Sequence, residues 1–146
     1  MDQADAILLA ELQRDAAQPY TALAAAAGLS TAATHERVRK LRERGVIRRT
    51  TIEVDPAAVG NPVLAFVLVR SERWVGDEDT RAALAAIEEI EEAHVIAGTA
   101  SLLVKIRTAG TTELQDVLRR LHEVGSTETI VVLESFFARP VRITRP

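Results

Sequence analysis

Apolar residues recur along the first third of the chain at the spacing of helices that each bury one face. Ala4, Leu8 and Leu12, with Ile7 beside them, predict a helix over residues 2–14, with Asp2 and Asp5 at the end where helical N–H groups favour negative charge. Pro19 interrupts, and the alanine-rich residues 21–27 predict a short second helix ended by Gly28. Ser30 suits the N-cap of a third helix that runs to Arg44 and is closed by Gly45. Three helices with a glycine turn between the second and third are the sequence form of a helix-turn-helix. On the third helix Thr34, Val38 and Leu41 fall on one face, which must pack inward. Residues 46–54 then read as a β-like run opening near Arg48 and Arg49, in the place a wing strand takes beside such a helix.

Proline and glycine gather over residues 55–62 and mark a boundary, so the expected organisation is a helix-turn-helix domain over 1–54, a hinge over 55–62 and a second domain over 63–146. Beyond the hinge the period changes. Strands are expected at 63–69, 94–97, 102–107 and 129–137, and helices at 79–90 and 112–124. The second helix is strongly amphipathic, with Leu114, Val117, Leu118, Leu121 and Val124 on one side. The order β-α-β-β-α-β is the ferredoxin-like split unit, an antiparallel sheet with both helices on one face, so the fold class is α+β. Strand 63–69 is apolar on both faces, Leu64, Phe66 and Leu68 alternating with Val63, Ala65, Val67 and Val69, and the last strand repeats the pattern. An apolar face left open by the helices predicts a partner sheet from a second copy; the alternative is strand ends tucked under a loop.

Composition narrows the chemistry. The chain has 146 residues, 47% of them hydrophobic, no cysteine and only three histidines, His35, His94 and His122, without ligand spacing. Disulfides, thiolate metal sites and cysteine nucleophiles are excluded, no cofactor is expected, and His94 and His122 read as structural. The longest apolar run, residues 62–69, is far short of the ~18–20 residues of a membrane span. The start at Met1, Asp2 and Gln3 is acidic rather than a basic signal peptide, so a soluble, cytoplasmic protein is expected.

The net charge of −3 is unevenly spread: residues 1–54 carry eight Lys/Arg against seven Asp/Glu, and the remainder ten against fourteen. Within residues 37–49, Arg37, Arg39, Lys40, Arg42, Arg44, Arg48 and Arg49 face a single acid, Glu43. That is a local footprint for a polyanion, or else a solvated helix face. The outward side of the third helix bears Ala32, His35, Glu36 and Arg39, with Lys40 nearby. A small residue admits close approach to DNA, and long cations reach phosphates and base edges. The candidate DNA contacts are therefore Ser30, Thr31, Ala32, His35, Arg37, Arg39, Lys40, Arg48 and Arg49. Arg37 lies at the edge of the buried face, where it either meets DNA or pins Glu residues of the fold. Trp74, in the polar loop 71–77, either covers a neighbouring subunit or closes over a ligand.

These residues carry a resemblance that spans nearly the whole chain. Asp5-Ala6-Ile7-Leu8 with Leu12 and Asp15, Gly28-Leu29-Ser30, Arg37-Val38-Arg39-Lys40-Leu41 and Gly45-Val46-Ile47 are similar to the helix-turn-helix of the Lrp/AsnC (feast/famine) transcriptional regulators. Gly60 with Pro62-Val63-Leu64-Ala65-Phe66-Val67, and the run from Gly125 to Leu133, resemble that family's hinge with first strand and its last strand. The resemblance implies a sequence-specific, double-stranded-DNA-binding regulator that assembles as a dimer through its sandwich-domain sheets, and commonly as an octamer. It also implies an effector, usually an amino acid, held between subunits near the turn after the second sandwich strand. By position the effector contacts are Gly98, Thr99, Ala100 and Ser101, with Thr127, Glu128 and Thr129 opposite. Many relatives carry two aspartates after the glycine of this turn, and here both carboxylates are absent. Serine and threonine form hydrogen bonds but supply no charge for an α-ammonium group, so the effector differs, is absent, or uses Glu128 or Glu134 instead.

Three other readings compete. A tetrapyrrole decarboxylase on this scaffold would have no use for the cationic segment 37–49. An RNA-binding sheet would need aromatics on its central strands, and Phe66, Phe136 and Phe137 are the only phenylalanines. An effector-independent DNA-organising protein differs from a specific regulator in site selectivity rather than in residues.

Overall fold

The computed structural model describes residues 1–144 and divides into two compact units, one of residues Met1–Glu53 joined by the chain from Phe137, the other Val54–Phe136. The expected second domain thus stops short of its predicted end, because the tail groups with the helical unit; Gln13 Nε2 donates to the Val141 carbonyl at 3.0 Å.

The helical unit holds α1 (Gln3–Arg14), α2 (Tyr20–Ala27) and α3 (Thr31–Glu43) around Leu8, Leu23 and Val38, with Leu12, Tyr20, Leu29 and Ile47 packed against them. Helix α1 opens with a capping box in which the Asp2 side chain accepts from the Asp5 N–H and the Asp5 side chain accepts in return from the Asp2 N–H. Gly28 ends α2 with φ 66°, a left-handed conformation that frees the Leu29 N–H to reach the Ala24 carbonyl at 2.9 Å. Ser30 caps α3 by accepting from the Ala33 N–H.

The wing strand expected over 46–54 is not formed. Val46 and Ile47 N–H groups bond back to the Leu41 carbonyl, and the following residues have no ladder partner; Ile52 is 81% exposed. A β-branched run without a neighbouring strand cannot satisfy its backbone as a strand.

The second unit comprises β1 (Val63–Arg70), α4 (Glu78–Ala85), β2 (Ile90–Val95), β3 (Leu102–Thr108), α5 (Thr111–Leu121) and β4 (Ser126–Val131). The antiparallel sheet has the order β2-β3-β1-β4 required of the split unit. Ala65, Val67, Val69, Leu102, Val104 and Ile106 face the helices and join Leu84, Ile87, Leu114, Val117 and Leu121 in one core.

Boundaries differ from those expected at α4, β2, β4 and α5, the last ending at Leu121 rather than residue 124. Helix α4 ends at Ala85 rather than residue 90, since Ile90 pairs with Ile106 and already belongs to β2, which extends N-terminally of the expected 94–97. Strand β4 begins at Ser126, paired with Arg70, and stops at Val131 rather than residue 137. Its last bond, from the Val132 N–H to the Leu64 carbonyl at 2.9 Å, comes where β1 runs out at Val63.

Candidate nucleic-acid interface

Burial of Thr34, Val38 and Leu41 turns the opposite side of α3 to solvent, and that side carries Ala32, Glu36, Arg39 and Glu43. At its N-terminal end Thr31 and Ala32 are exposed, and first-turn N–H groups lack intrahelical acceptors and suit an anionic partner. Ser30, also exposed, has its hydroxyl engaged in the cap.

His35 is exposed and lies flat on the Tyr20 ring, with centroids 3.7 Å apart and planes 5° from parallel. Nothing in the sequence singles out Tyr20; its place at the first position of α2, directly after Pro19, gives no sign that it supports a ring on another helix.

Arg37 turns away from the outward face. Its Nη1 donates to Asp2 Oδ2 at 2.7 Å and Asp5 Oδ1 at 2.8 Å, fastening α3 to the cap of α1. Of the two roles open to it, the pinning one is occupied, with the aspartates of the α1 cap in place of the expected glutamates. The Asp2 carboxyl is held below its ordinary value by the Asp5 backbone N–H and then by Arg37, and the Arg37 guanidinium is held above its own by Asp2 and Asp5.

Arg39 is clasped on its own helix. Nε and Nη2 donate to the two oxygens of Glu36 at 3.0 and 2.6 Å, Nη1 donates to Glu43, and Lys40 Nζ lies 3.3 Å from Glu36. These cations hold the Glu36 carboxyl below its ordinary value, Arg39 more than Lys40. Arg42, Arg44, Arg48 and Arg49 are exposed and form no ion pair among the described residues. The cationic segment therefore resolves into one structural arginine, two cations held by carboxylates, and four free arginines at and beyond the C-terminal end of α3.

In the second unit, the loop between β2 and β3 is anchored at one end and open at the other. Ser101 Oγ accepts from the Ser71 N–H at 3.2 Å and donates to the Ser71 carbonyl at 3.3 Å, and the Ser101 N–H donates to the Val69 carbonyl at 2.8 Å. Ala100 is buried, while Gly98 and Thr99 are exposed. Val69 pairs with Leu102 on one side and Thr127 on the other, so the loop and Thr127 share one end of the sheet.

Strand alternation divides the three β4 candidates. Thr127 and Thr129 lie on the helix side, where Thr127 Oγ1 is 3.1 Å from His122 Nδ1, whereas Glu128 lies on the open face and pairs with Arg70 at 3.0 Å. Glu134 lies beyond the end of β4. A cavity of about 380 Å³ lies between α4 and β2, lined by Val75, Arg81, Leu84, Ile90, Ala93 and Val95, and none of the seven effector candidates lines it.

The open sheet face carries an apolar patch bordered by charged pairs, Arg70 with Glu128 at one end. Phe66, Leu68, Leu103 and Ile130 form the patch, and Lys105 and Arg107, paired to Glu91 and Glu92, border it at the other end. Trp74 is 72% exposed, its ring lying over Gly76.

The chain is similar to known proteins along nearly its whole length. A family model described as an AsnC-type helix-turn-helix domain matches residues 1–42, and one described as the Lrp/AsnC ligand binding domain matches residues 64–141. Among curated relatives, the HTH-type transcriptional regulator LrpA of Mycobacterium tuberculosis is 34% identical over 140 residues, covering 94% of this chain and 93% of the relative. The HTH-type transcriptional regulator FL11 of Pyrococcus horikoshii is 36% identical over 138 residues, covering 92% and 91%. A solved structure of the feast or famine regulatory protein of M. tuberculosis complexed with L-methionine is 33% identical, with a TM-score of 0.90 over 98% of this chain and 99% of that one.

Proposed function

Because this chain belongs to the Lrp/AsnC family of transcriptional regulators, we propose that it binds specific duplex DNA as a homo-oligomer whose affinity a small metabolite, an amino acid, adjusts. The observation that carries the DNA part is α3 itself: its buried side is fully engaged, its outer side is exposed, and four unpaired arginines follow. Arg42, Arg44, Arg48 and Arg49 take phosphates, first-turn groups from Ser30 to Ala32 approach the backbone, and His35 and Arg39 face base edges. Arg37 is reassigned from DNA contact to holding α3 on α1.

Two recognition helices one helical turn apart read a pseudo-palindrome, which requires at least a dimer. The apolar patch of the open sheet, Phe66, Leu68, Leu103 and Ile130, is the surface we assign to a second copy. The enzyme reading falls away, since the relatives are named transcriptional regulators.

For the effector, the proposal rests on the loop of Gly98, Thr99, Ala100 and Ser101 with Thr127 beside it, and on the methionine complex of the M. tuberculosis relative. With Glu128 engaged by Arg70, an α-ammonium group finds hydroxyls and carbonyls rather than a free carboxylate at this end of the sheet. An effector acts only through unequal affinity for two arrangements of the assembly.

The test is selection from a randomised duplex pool, together with a thermal-shift screen against the twenty amino acids and the protein's mass in solution. Enrichment of a two-fold-related site, a dimeric or larger mass and a shift with one amino acid are expected. Binding without site preference and without a ligand shift would support the DNA-organising reading instead.

A further inference from the structure

The outward stripe of α3, the part that would lie deepest in a groove, is not basic. Ala32, Glu36, Arg39 and Glu43 follow one another at the spacing of a single helix face, with two carboxylates against one guanidinium. The free cations, Arg42, Arg44, Arg48 and Arg49, stand at the flank and beyond the end. Phosphate attraction is thus separated from the groove-facing stripe, where a carboxylate is repelled by DNA unless it meets a donor.

The only base-edge donor in the major groove that suits a carboxylate is an amino group, above all cytosine N4, and the natural acceptor of an arginine fork is guanine O6 with N7. Both occur together on a C·G pair or on adjacent pairs. Glu36 already fixes the plane of Arg39 with two parallel hydrogen bonds, at 3.0 and 2.6 Å, and lies in the N-terminal half of α3, the part of a recognition helix that reaches base edges. We propose that Glu36 is a specificity-determining residue: it presents Arg39 in fixed geometry, accepts from a cytosine amino group, and penalises binding wherever no such donor is offered.

This rests on the DNA-binding reading above. Removing the Glu36 charge releases Arg39 and Lys40 to seek phosphates, so its loss strengthens indiscriminate binding while weakening discrimination. A merely helix-stabilising pair would also release these cations when removed, but would leave the ratio of selected to scrambled affinity unchanged. Glu43 supplies the control, since it carries the same charge on the same stripe and also binds Arg39, but sits at the last helical position, far from the reading end.

The experiment is duplex selection followed by titration of the selected duplex and a scrambled duplex at several salt concentrations, for the unaltered protein, Glu36→Gln, Glu36→Asp and Glu43→Gln. The expected selected site contains a G·C pair in each half. Glu36→Gln binds the scrambled duplex several-fold more tightly, and its ratio of selected to scrambled affinity falls about tenfold. Glu36→Asp, which keeps the charge but loses reach, lowers the ratio without tightening scrambled binding, and Glu43→Gln leaves the ratio within about threefold. If the unaltered protein discriminates and Glu36→Gln keeps its ratio, the assignment to Glu36 is overturned while the regulator reading stands. If the unaltered protein discriminates no duplex at all, both fall.

Discussion

Arg37 and Arg39 are two residues apart on one helix and have opposite tasks. The helix period places Arg37 beside the buried face, where Asp2 and Asp5 meet it, and Arg39 on the outer face between Glu36 and Glu43. Arg39→Ala is expected to weaken duplex binding by about tenfold with the mass in solution unchanged. Arg37→Ala is expected to lower the melting temperature by a few degrees, seen by circular dichroism, because it strips a partner from the buried Asp5 and from the α1 cap. The Asp2 carboxyl is held below its ordinary value when folded, so its stabilisation is present above the carboxylate range and lost as pH falls through it. The melting-temperature gap between Arg37→Ala and the unaltered protein should therefore be full near pH 7 and shrink as the pH falls below the ordinary aspartate value. The wheel position of Arg37 was legible in the sequence. Its partners were not, since periodicity on one helix says nothing of which acid a neighbouring helix brings.

At the level of elements, the ladder between β1 and β4 depends on close approach at Gly125. A Cβ there would lie 2.2 Å from the Arg70 carbonyl oxygen and 2.8 Å from its carbon, backbone atoms that cannot swing aside. Gly125→Ala is expected to displace the start of β4, where Thr127 pairs with Val69, and to lower the melting temperature by several degrees, with reduced amide protection on β4 as the direct readout. Element order and type were legible because each helix and each central strand buries a periodic face. The boundaries that moved have physical reasons. Glu91 and Glu92 hid the start of β2 because an edge strand is free to be polar when Lys105 and Arg107 stand across from it. Residues 46–54 and 132–137 have strand composition, but composition does not supply a partner strand.

For the whole molecule, the proposed homo-oligomer rests on the apolar patch of the open sheet face. The helix-free face of the sheet keeps Phe66, Leu68, Leu103 and Ile130 together, and Ile130 is half exposed. Replacing Ile130 with aspartate should reduce the mass in solution to that of a monomer and, with it, the affinity for a two-fold site, while leaving circular dichroism of the folded chain intact. The loop proposed for the effector was the least legible part. Sequence order placed Gly98 to Ser101 and Thr127 to Thr129 opposite one another, yet strand alternation sends Glu128 to the far face, where Arg70 takes it. Only the pairing partner and the face it presents, neither written in the spacing, decide which hydroxyls remain at that end.

The free arginines after α3 are assigned to phosphates and the clasped ones are not, and the salt dependence of duplex binding tests that division most directly. It is measured for the unaltered protein beside an Arg48→Ala, Arg49→Ala double variant. The expected result is a logarithmic affinity that falls linearly with the logarithm of salt, with a slope shallower by about 2 per bound subunit in the variant, since each phosphate that an arginine neutralises contributes roughly 0.9. An unchanged slope would contradict the assignment, and would place the phosphate-binding cations elsewhere on the chain.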